Sequence, residues 1–374
     1  MERTLIVAIT SYAGMGPYVS EIVNSFNETD DIYYFFYDHA DFFRKNIKEE
    51  LHYKCFFYKR VDNKINKIID LLPIWKKSYN IILKFCKKNR IDAVHFINEP
   101  GDVLLIKALE ARGVKCVSTI HDLHPHEAKK EWYKEMRDKI GYKRMYRNFS
   151  YSKNIITNSI YQYDELKLNY SNKNIFYHSF PSLVSDIIKN GHDIPNELIN
   201  LKKPYILFFG RIEEYKGLSL LYDVFTEEQS LYDNYYLVIA GRGTISFNRK
   251  PDEKNIVIIN RYIKDTEIAY IYKNASCVVY PYISATQSGV LSLAYYYKTP
   301  VVASDVPFFK GIIEQSLSGL LFKNKNLEDL KNKLIKILNS NTFEMKEKGK
   351  EYYNQQYDNL NIRNSLIEIY NSLQ

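Results

Sequence analysis

The sequence predicts an α/β fold made of two Rossmann-like, doubly wound domains that face a central cleft. Length is the first reason, because the chain has 374 residues and a single hydrophobic core stops growing at roughly 250–300 residues. The second is that short apolar runs alternate with segments of helical periodicity, which is typical of a parallel sheet with helices on both faces. The third is that the polar segment 185–203 interrupts this alternation once. We place the linker between the domains there.

The first predicted domain covers residues 1–190. It begins with a buried strand at 4–12, followed by the turn Ala13-Gly14-Met15-Gly16-Pro17. Pro17 suits the first position of a helix, and the apolar residues after it recur at helical spacing. The other elements predicted here are strands at 31–38, 92–98, 115–122, 152–159 and 173–180 and a helix at 103–113.

The second predicted domain covers residues 200–345 and repeats the same alternation. Its predicted elements are strands at 204–210, 235–241, 255–262, 276–282 and 299–305 and helices at 217–226, 265–274, 288–297 and 326–340. The last segment, 346–374, is polar and has helical periodicity. We expect it to form a helix that packs back on the first domain.

Composition narrows the class of protein. Hydrophobic residues make up 45% of the chain, but no apolar run reaches the roughly 18–20 residues that span a bilayer. No cleavage site follows the first apolar stretch, so a signal peptide is not expected. We therefore expect a cytoplasmic protein, and no nucleic-acid-binding motif is evident.

The basic excess lies in one run. Of the net charge of +8, residues 129–153 carry +6, from nine basic and three acidic side chains with aromatic ones between them. Such a face can bind anionic lipid headgroups, which would make the protein peripheral on the inner face of a membrane. An ordinary solvated helix face explains the run equally well.

The strongest chemical signal is the segment 209–218, which follows the first strand of the second domain. Ligands of open α/β sheets bind at the carboxyl ends of the strands, and a helix N-terminus there favours a phosphate. Arg211 supplies a fixed fork of donors and Lys216 a mobile point charge. Together they could neutralise a diphosphate, although two cations and two glycines in an ordinary surface loop would show the same pattern.

A second signal lies at 281–290, between a predicted strand and a predicted helix. The backbone N–H groups of Ser288, Gly289 and Val290 could hold a phosphate or a sugar. A plain helix cap would have the same pattern.

Two weaker signals lie in the first domain. His121, His124 and His126 invite a metal-site interpretation, but Pro125 breaks the helical pairing and no second cluster completes the ligand set, so a substrate-facing loop is favoured. The turn at Gly14 and Gly16 departs from the G-x-G-x-x-G dinucleotide pattern. The chain also has no Asp-x-Asp pair, Walker loop or G-x-S-x-G motif, so we expect no metal and no other cofactor.

With these motifs in order, the chain resembles the family 4 retaining glycosyltransferases, a GT-B family, over nearly its whole length. The resemblance is carried by the following segments: Gly210-Arg211-Ile212 with Tyr215-Lys216-Gly217-Leu218, Ala240-Gly241-x-Gly243, Pro281-Tyr282, Ser288-Gly289-Val290, 300–305 and 318–322. It implies a donor-binding second domain and an acceptor-side first domain. The donor would be a nucleoside-diphosphate sugar and the acceptor a saccharide or a glycolipid, and the reaction would serve surface polysaccharide synthesis.

The same resemblance implies roles for individual residues. Arg211 and Lys216 would bind the donor diphosphate, and the backbone at 288–290 would cradle the sugar and its phosphate. Gly14 and Gly16 would let the first domain approach the donor, and His121 would lie beside the reacting sugar. Transfer would proceed with retention and without a carboxylate nucleophile, through orientation and charge stabilisation.

One departure from the family pattern concerns two glutamates that the family places eight positions apart around this turn. Aligned on Gly289, Thr286 and Ala294 stand there. Gln287, next to the first position, could bind the sugar instead. The departure leaves open a non-catalytic binding homologue. A nucleotide-sugar epimerase, which uses a similar two-domain fold, is a second alternative.

Overall fold

The computed structural model describes residues 2–11, 14–59, 76–123, 132–245, 247–251 and 253–373, with the side chains of 76, 77 and 132–138 left aside. These residues form two compact units. The first unit comprises the described parts of 1–123, 131–181 and 359–374, and the second comprises those of 182–358. The predicted α/β class is confirmed, because each unit contains one parallel sheet covered by helices.

The sheet of the first unit has seven parallel strands in the order β3-β2-β1-β4-β5-β6-β7. Apolar residues fill the central strands, as expected for strands that are buried on both faces. The strands are β1 Thr4–Ala8, β2 Ile32–Asp38, β3 Cys55–Lys59, β4 Ala93–Phe96, β5 Lys115–Ile120, β6 Asn154–Thr157 and β7 Asn174–Tyr177.

Helices cover both faces of this sheet. Asp102 and Ser159 cap two of them, because each side chain accepts a hydrogen bond from a backbone N–H of the first turn. The helices are α1 Met15–Ser25, α2 Phe42–Asn46, α3 Lys76–Asn89, α4 Val103–Glu110, α5 Trp132–Tyr151 and α6 Ile160–Asn169, and a 3₁₀ turn spans Glu49–Lys54.

The sheet of the second unit has six parallel strands in the order β10-β9-β8-β11-β12-β13. The strands are β8 Tyr205–Phe209, β9 Tyr236–Ala240, β10 Ile256–Ile259, β11 Ala275–Tyr280, β12 Val301–Ser304 and β13 Gly319–Phe322. The helices of this unit are α7 Asp186–Lys189, α8 Leu218–Glu227, α9 Gln229–Asn234, α10 Asp265–Lys273, α11 Val290–Tyr296, α12 Pro307–Ser316, α13 Leu327–Leu338 and α14 Phe343–Gln356.

The boundary between the units differs from the predicted linker. The segment 185–203 belongs to the second unit, where Ile188 and Leu198 are buried in the core. The segment was taken for a linker because most of its residues are polar and only a few of them, Ile188 and Leu198 among these, are buried. The units divide instead between Pro181 and Ser182.

The C-terminal segment also differs from a single helix over 346–374. It forms α14, which belongs to the second unit, and α15 Asn359–Ser372, which belongs to the first. Within the first unit, the Arg363 guanidinium pairs with Asp30, and the Tyr370 hydroxyl lies 2.8 Å from His95 Nδ1. Among the described residues, no helix combines the length and apolarity needed to cross a bilayer.

Candidate functional site

The loop that follows β8 is shaped by two glycines with positive φ. Gly210 has φ 134° and Gly217 has φ 66°, values that side-chain-bearing residues rarely adopt. Gly217 also leaves no room for a side chain, since a Cβ atom there would lie 1.8 Å from the carbonyl oxygen of Pro281. The chain can therefore turn tightly between β8 and α8 only with glycine at this position.

Hydrogen bonds tie this loop to its neighbours. The Ile283 N–H donates to the Tyr215 carbonyl at 2.7 Å, and the Gly210 N–H donates to the Ala240 carbonyl at 3.0 Å. A Cβ atom on Gly241 would lie 1.8 Å from the Gly210 oxygen. The loops after β8, β9 and β11 thus meet in close backbone contact at the carboxyl edge of the sheet.

The side chain of Lys216 points into the second unit at this edge of the sheet. Its side chain is buried, with 9% of the residue exposed, and its Nζ lies 3.8 Å from the centre of the Tyr282 ring. A cation over an aromatic face is stabilised by the ring's quadrupole. The Tyr282 hydroxyl in turn lies 3.4 Å from Ser288 Oγ. Tyr282 therefore joins the predicted lysine to the predicted 288–290 turn, a role that the sequence did not reveal.

Arg211 occupies the exposed side of the same loop. Its Nη1 lies 3.0 Å from Glu213 Oε1, with side-chain exposures of 43% and 34%. An ion pair this exposed contributes little to stability. The arginine is thus held close to the loop by a contact that a stronger anion can replace.

The 288–290 turn lies beside this loop. A Cβ atom on Gly210 would lie 4.0 Å from Val290 Cγ1 and 3.9 Å from the Tyr282 hydroxyl. Gly289 precedes α11 without a side-chain cap, and its carbonyl accepts the Ser292 hydroxyl at 2.6 Å. The structure therefore brings Gly210, Lys216, Ser288 and Val290 together around Tyr282.

Thr286 and Ala294, which stand where the family 4 glycosyltransferases carry glutamates, have different surroundings. Ala294 is on α11 and is fully buried in the core of the second unit. Thr286 and Gln287 are partly buried and precede the turn. Position 294 therefore faces core residues here, and a glutamate at this place would bury a carboxylate.

His121 follows β5 in the first unit and is buried. Its Nε2 donates to the Ile97 carbonyl at 3.0 Å, since a carbonyl can only accept, and its ring meets Tyr18 edge-on at 4.7 Å. Burial lowers the pKa of His121 below its ordinary value, against the opposing effect of the hydrogen bond to Ile97. The imidazole is therefore neutral at pH 7, and its Nδ1 is the acceptor nitrogen.

The two glycines of the first turn differ in their surroundings. A Cβ atom on Gly16 would lie 2.6 Å from the Phe42 ring, whereas one on Gly14 would meet nothing within 4 Å. Gly16 is thus required by packing. Gly14 is exposed, and packing does not require glycine there.

A buried polar network that no sequence motif marks lies beside His121. The Tyr18 hydroxyl donates to Asn158 Oδ1 at 2.8 Å, and Asn158 Nδ2 lies 3.0 Å from His178 Nε2. His95 Nε2 lies 2.7 Å from Thr119 Oγ1. The sequence does contain a signal for this network. Each histidine lies in or just after an apolar strand, where a buried polar side chain needs a hydrogen-bond partner.

The metal-site interpretation of the histidine loop finds no support in the described part of the chain. No group of three or more histidine, cysteine or acidic side chains is arranged to hold a metal ion there. His124 and His126, the other two histidines of that prediction, lie outside the described residues.

The two parallel sheets with their covering helices correspond to the GT-B fold. Solved structures share the fold across the chain. The Anabaena protein Alr3699/HepE, solved in complex with UDP and glucose, matches with a TM-score of 0.67 at 14% identity and covers 100% of both chains. WaaG, described as a glycosyltransferase involved in lipopolysaccharide biosynthesis, matches with a TM-score of 0.63 at 15% identity, covering 97% of this chain and 99% of that one.

The sequence itself assigns the family. Residues 191–356 match the model of the glycosyl transferases group 1, so the second unit carries a domain of that family. An uncharacterized 41.2 kDa protein in the cps region of Klebsiella pneumoniae is 23% identical over 309 residues, which cover 78% of this chain and 82% of the relative. The expected class of enzyme is thereby confirmed.

Proposed function

We propose that this chain transfers a sugar, with retention, from a nucleoside-diphosphate sugar to a saccharide or glycolipid acceptor. The observation that carries the proposal is the placement of Lys216 and Arg211 on one glycine-shaped loop at the carboxyl edge of the second unit's sheet. The complex of HepE with UDP and glucose supports a uridine nucleotide as the first donor to try. The names of WaaG and of the Klebsiella relative support an acceptor in surface polysaccharide synthesis.

The proposed mechanism rests on charge. Lys216 and Arg211 would bind the diphosphate and stabilise the negative charge that develops on it as the bond to the sugar breaks. The backbone N–H groups of Ser288, Gly289 and Val290, with the Gln287 side chain, would orient the sugar and its phosphate. His121 is assigned to the reacting sugar as a neutral imidazole. Retention follows if the acceptor hydroxyl attacks from the face that the diphosphate leaves and passes its proton to a phosphate oxygen.

We also propose that no metal ion is required, because the two cationic side chains supply the charge that a divalent cation would otherwise supply. The test is transfer from a panel of UDP-, GDP- and ADP-sugars to saccharide and lipid-linked acceptors, with EDTA and with magnesium. Equal transfer under both conditions is expected. Loss of transfer in EDTA would refute metal independence, and donor binding without any turnover would support the non-catalytic alternative.

Retention has its own test. The NMR signal of the transferred sugar's anomeric proton, in the glycosidic bond of the product, is expected to show the same anomeric configuration as the donor sugar. An inverted product would refute the same-face path while leaving the donor assignment intact. A nucleotide sugar converted to its epimer without acceptor would instead support the epimerase alternative.

The proposed cytoplasmic location includes a peripheral membrane contact through α5. Lys139, Ile140, Lys143, Tyr146 and Arg147 are exposed on this helix. Arg144, in contrast, lines a hollow of the first unit. We expect co-sedimentation with vesicles containing anionic lipid, lost on neutralising Lys139 and Lys143 and reduced by salt. Binding that persists at high salt would contradict an electrostatic contact.

A further inference from the structure

The short segment after β11 holds the loop that carries Lys216. The Ile283 N–H donates to the Tyr215 carbonyl at 2.7 Å. A Cβ atom on Gly217 would lie 1.8 Å from the Pro281 carbonyl oxygen, so the two segments touch along their backbones. The position of the segment after β11 therefore determines the position of the backbone at Lys216.

The ammonium group of Lys216 depends on both segments. Its Nζ lies 5.1 Å from the centre of the Tyr215 ring and 3.8 Å from that of the Tyr282 ring. One ring belongs to the lysine's own loop and the other to the segment after β11. The Ser304 hydroxyl donates to the Tyr282 carbonyl at 2.6 Å and holds that part of the segment in the core. A displacement of Ile283, the next residue, therefore changes how the two rings meet the ammonium group.

Asn324 holds Ile283 from the side opposite to Tyr215. It lies between β13 and α13 and is partly buried. Its Nδ2 donates to the Ile283 carbonyl at 2.9 Å, and its backbone N–H donates to Asp305 Oδ1 at 2.8 Å. Ile283 is thus bound in two directions, through its N–H to Tyr215 and through its carbonyl to Asn324.

These hydrogen bonds form a continuous line across the carboxyl edge of the second unit's sheet. β12 lies between β11 and β13, and Asp305 follows β12 directly. From Asp305 the line runs through Asn324 and Ile283 to Tyr215, the residue before Lys216. Because Asn324 supplies the donor for the Ile283 carbonyl, its removal breaks the line in the middle and leaves that carbonyl without this partner.

We propose that Asn324 is a positioning residue of the donor site, which acts through Ile283 and Tyr215 to hold Lys216 where the donor diphosphate binds. The inference rests on the proposed function and adds to it a residue that none of the sequence motifs contains. The role assigned to Asn324 is indirect, since its effect on the ligand passes through Lys216.

The test is calorimetric titration of the full chain with UDP, in a double-mutant cycle of Asn324→Leu and Lys216→Ala. Asn324→Leu removes the Nδ2 donor at nearly constant volume and should weaken UDP binding by about two- to tenfold, the range for one hydrogen bond. In the Lys216→Ala background the same change should weaken binding by less than about twofold, because residues that act as one unit are not additive. Asn324→Ala, which only shortens the side chain, replaces Asn324→Leu if the latter fails to fold.

Asn326→Leu is the matched control. Asn326 is also partly buried and lies in the same turn, but its Oδ1 accepts the Asp329 N–H at the start of α13 at 2.9 Å. Losing this helix cap should destabilise the chain and leave UDP binding as in wild type. Hydrogen exchange followed by mass spectrometry adds a measurement that needs no ligand. The peptide that contains Ile283 should exchange faster in Asn324→Leu and as in wild type in Asn326→Leu.

The outcomes separate the positioning role from the donor site itself. Equal UDP affinity in wild type and Asn324→Leu would overturn the inference, and so would an equal loss in the two backgrounds of the cycle. If Lys216→Ala weakens UDP binding while exchange at Ile283 is the same in wild type and Asn324→Leu, the role of Asn324 fails and the diphosphate proposal stands. If Lys216→Ala binds UDP as wild type does, the diphosphate proposal fails and the inference falls with it.

Discussion

The Nζ atom of Lys216 lies 3.8 Å from the centre of the Tyr282 ring, and neither side chain is more than 9% exposed. A lysine buried this far would lose much of its hydration, and the ring face replaces part of it. The contact also fixes the direction in which the ammonium group points. The ammonium group of Lys216, which we predict to bind the donor's phosphate, is therefore held in place before any donor binds.

Replacing Tyr282 tests this positioning role. Tyr282→Leu removes the ring and should weaken nucleotide binding by about two- to thirtyfold, the range of a cation–π contact, whereas Tyr282→Phe should bind nucleotide nearly as wild type. Calorimetric titration with UDP measures both. Tyr295→Leu, which empties another fully buried tyrosine site of the same core, controls for lost packing. Equal losses in Tyr282→Leu and Tyr295→Leu would contradict a specific role for the ring.

Breaking the ion pair between Arg211 and Glu213 is expected to strengthen the binding of a nucleoside diphosphate. Glu213→Gln removes a negative charge 3.0 Å from Arg211, so the affinity for a nucleoside diphosphate should rise severalfold. Because the pair is exposed, the free energy of unfolding should change by less than about 1 kcal/mol. Glu214→Gln, an exposed neighbour, is the control. Weaker binding in Glu213→Gln would show that the carboxylate itself serves the ligand.

The first turn offers a matched pair of glycines. Gly16→Ala should lower the thermal midpoint by several degrees, because its methyl group would overlap the Phe42 ring. Gly14→Ala should fold as wild type, since nothing lies within 4 Å of the new atom. If the first unit approaches the donor at Gly14, the rate of sugar transfer should fall in Gly14→Ala while the thermal midpoint stays as in wild type. Unchanged transfer in a folded Gly14→Ala variant would remove Gly14 from the site.

His178 predicts a dependence of stability on pH. Burial is the main cause that lowers its pKa from 6.5 to about 4, so the unfolded chain binds a proton that the folded chain does not. The free energy of unfolding should therefore fall as the pH drops below 6.5, by about 2 kcal/mol at pH 5 from this group alone.

Urea unfolding at pH 7 and at pH 5 measures the effect. His178→Gln should make this dependence smaller by about 2 kcal/mol, because glutamine keeps hydrogen-bonding capacity without titrating. Part of the dependence should remain, because burial also lowers the pKa values of His95 and His121. His192→Gln, at an exposed position, should leave it as in wild type. A His178→Gln variant that loses the same stability between the two pH values would assign the effect to other groups.

Most of the fold could be predicted because its strands are short apolar runs and its helices have a clear period. The edge strand β3 could not, since Cys55–Lys59 shows neither alternation nor full burial. The segment 185–203 was misassigned because a few buried residues, such as Ile188 and Leu198, anchor it. The break between α14 and α15 has no strong sequence signal, as neither proline nor glycine stands at Tyr357 or Asp358.

The candidate site was predictable where backbone geometry demands particular residues. Gly210 and Gly217 have the positive φ values that such a turn requires, and the lysine and arginine stand between them. Contacts between distant segments were not predictable, because no spacing rule relates Lys216 to Tyr282 or Asn324 to Ile283. The roles of His121 and of the 287–290 segment remain predictions.

The assignment of the 209–218 loop as the diphosphate site is tested by calorimetric titration of UDP, in the presence of EDTA, into wild type, Lys216→Ala and Lys350→Ala. Lys350 is a matched control, since its Nζ also lies over a tyrosine ring, 3.9 Å from that of Tyr296. We expect Lys216→Ala to lose about 1–3 kcal/mol of the binding free energy of UDP, as for a charge-assisted contact, and Lys350→Ala to bind UDP as wild type does. Equal UDP affinity in Lys216→Ala and wild type would contradict the assignment of this loop as the diphosphate site.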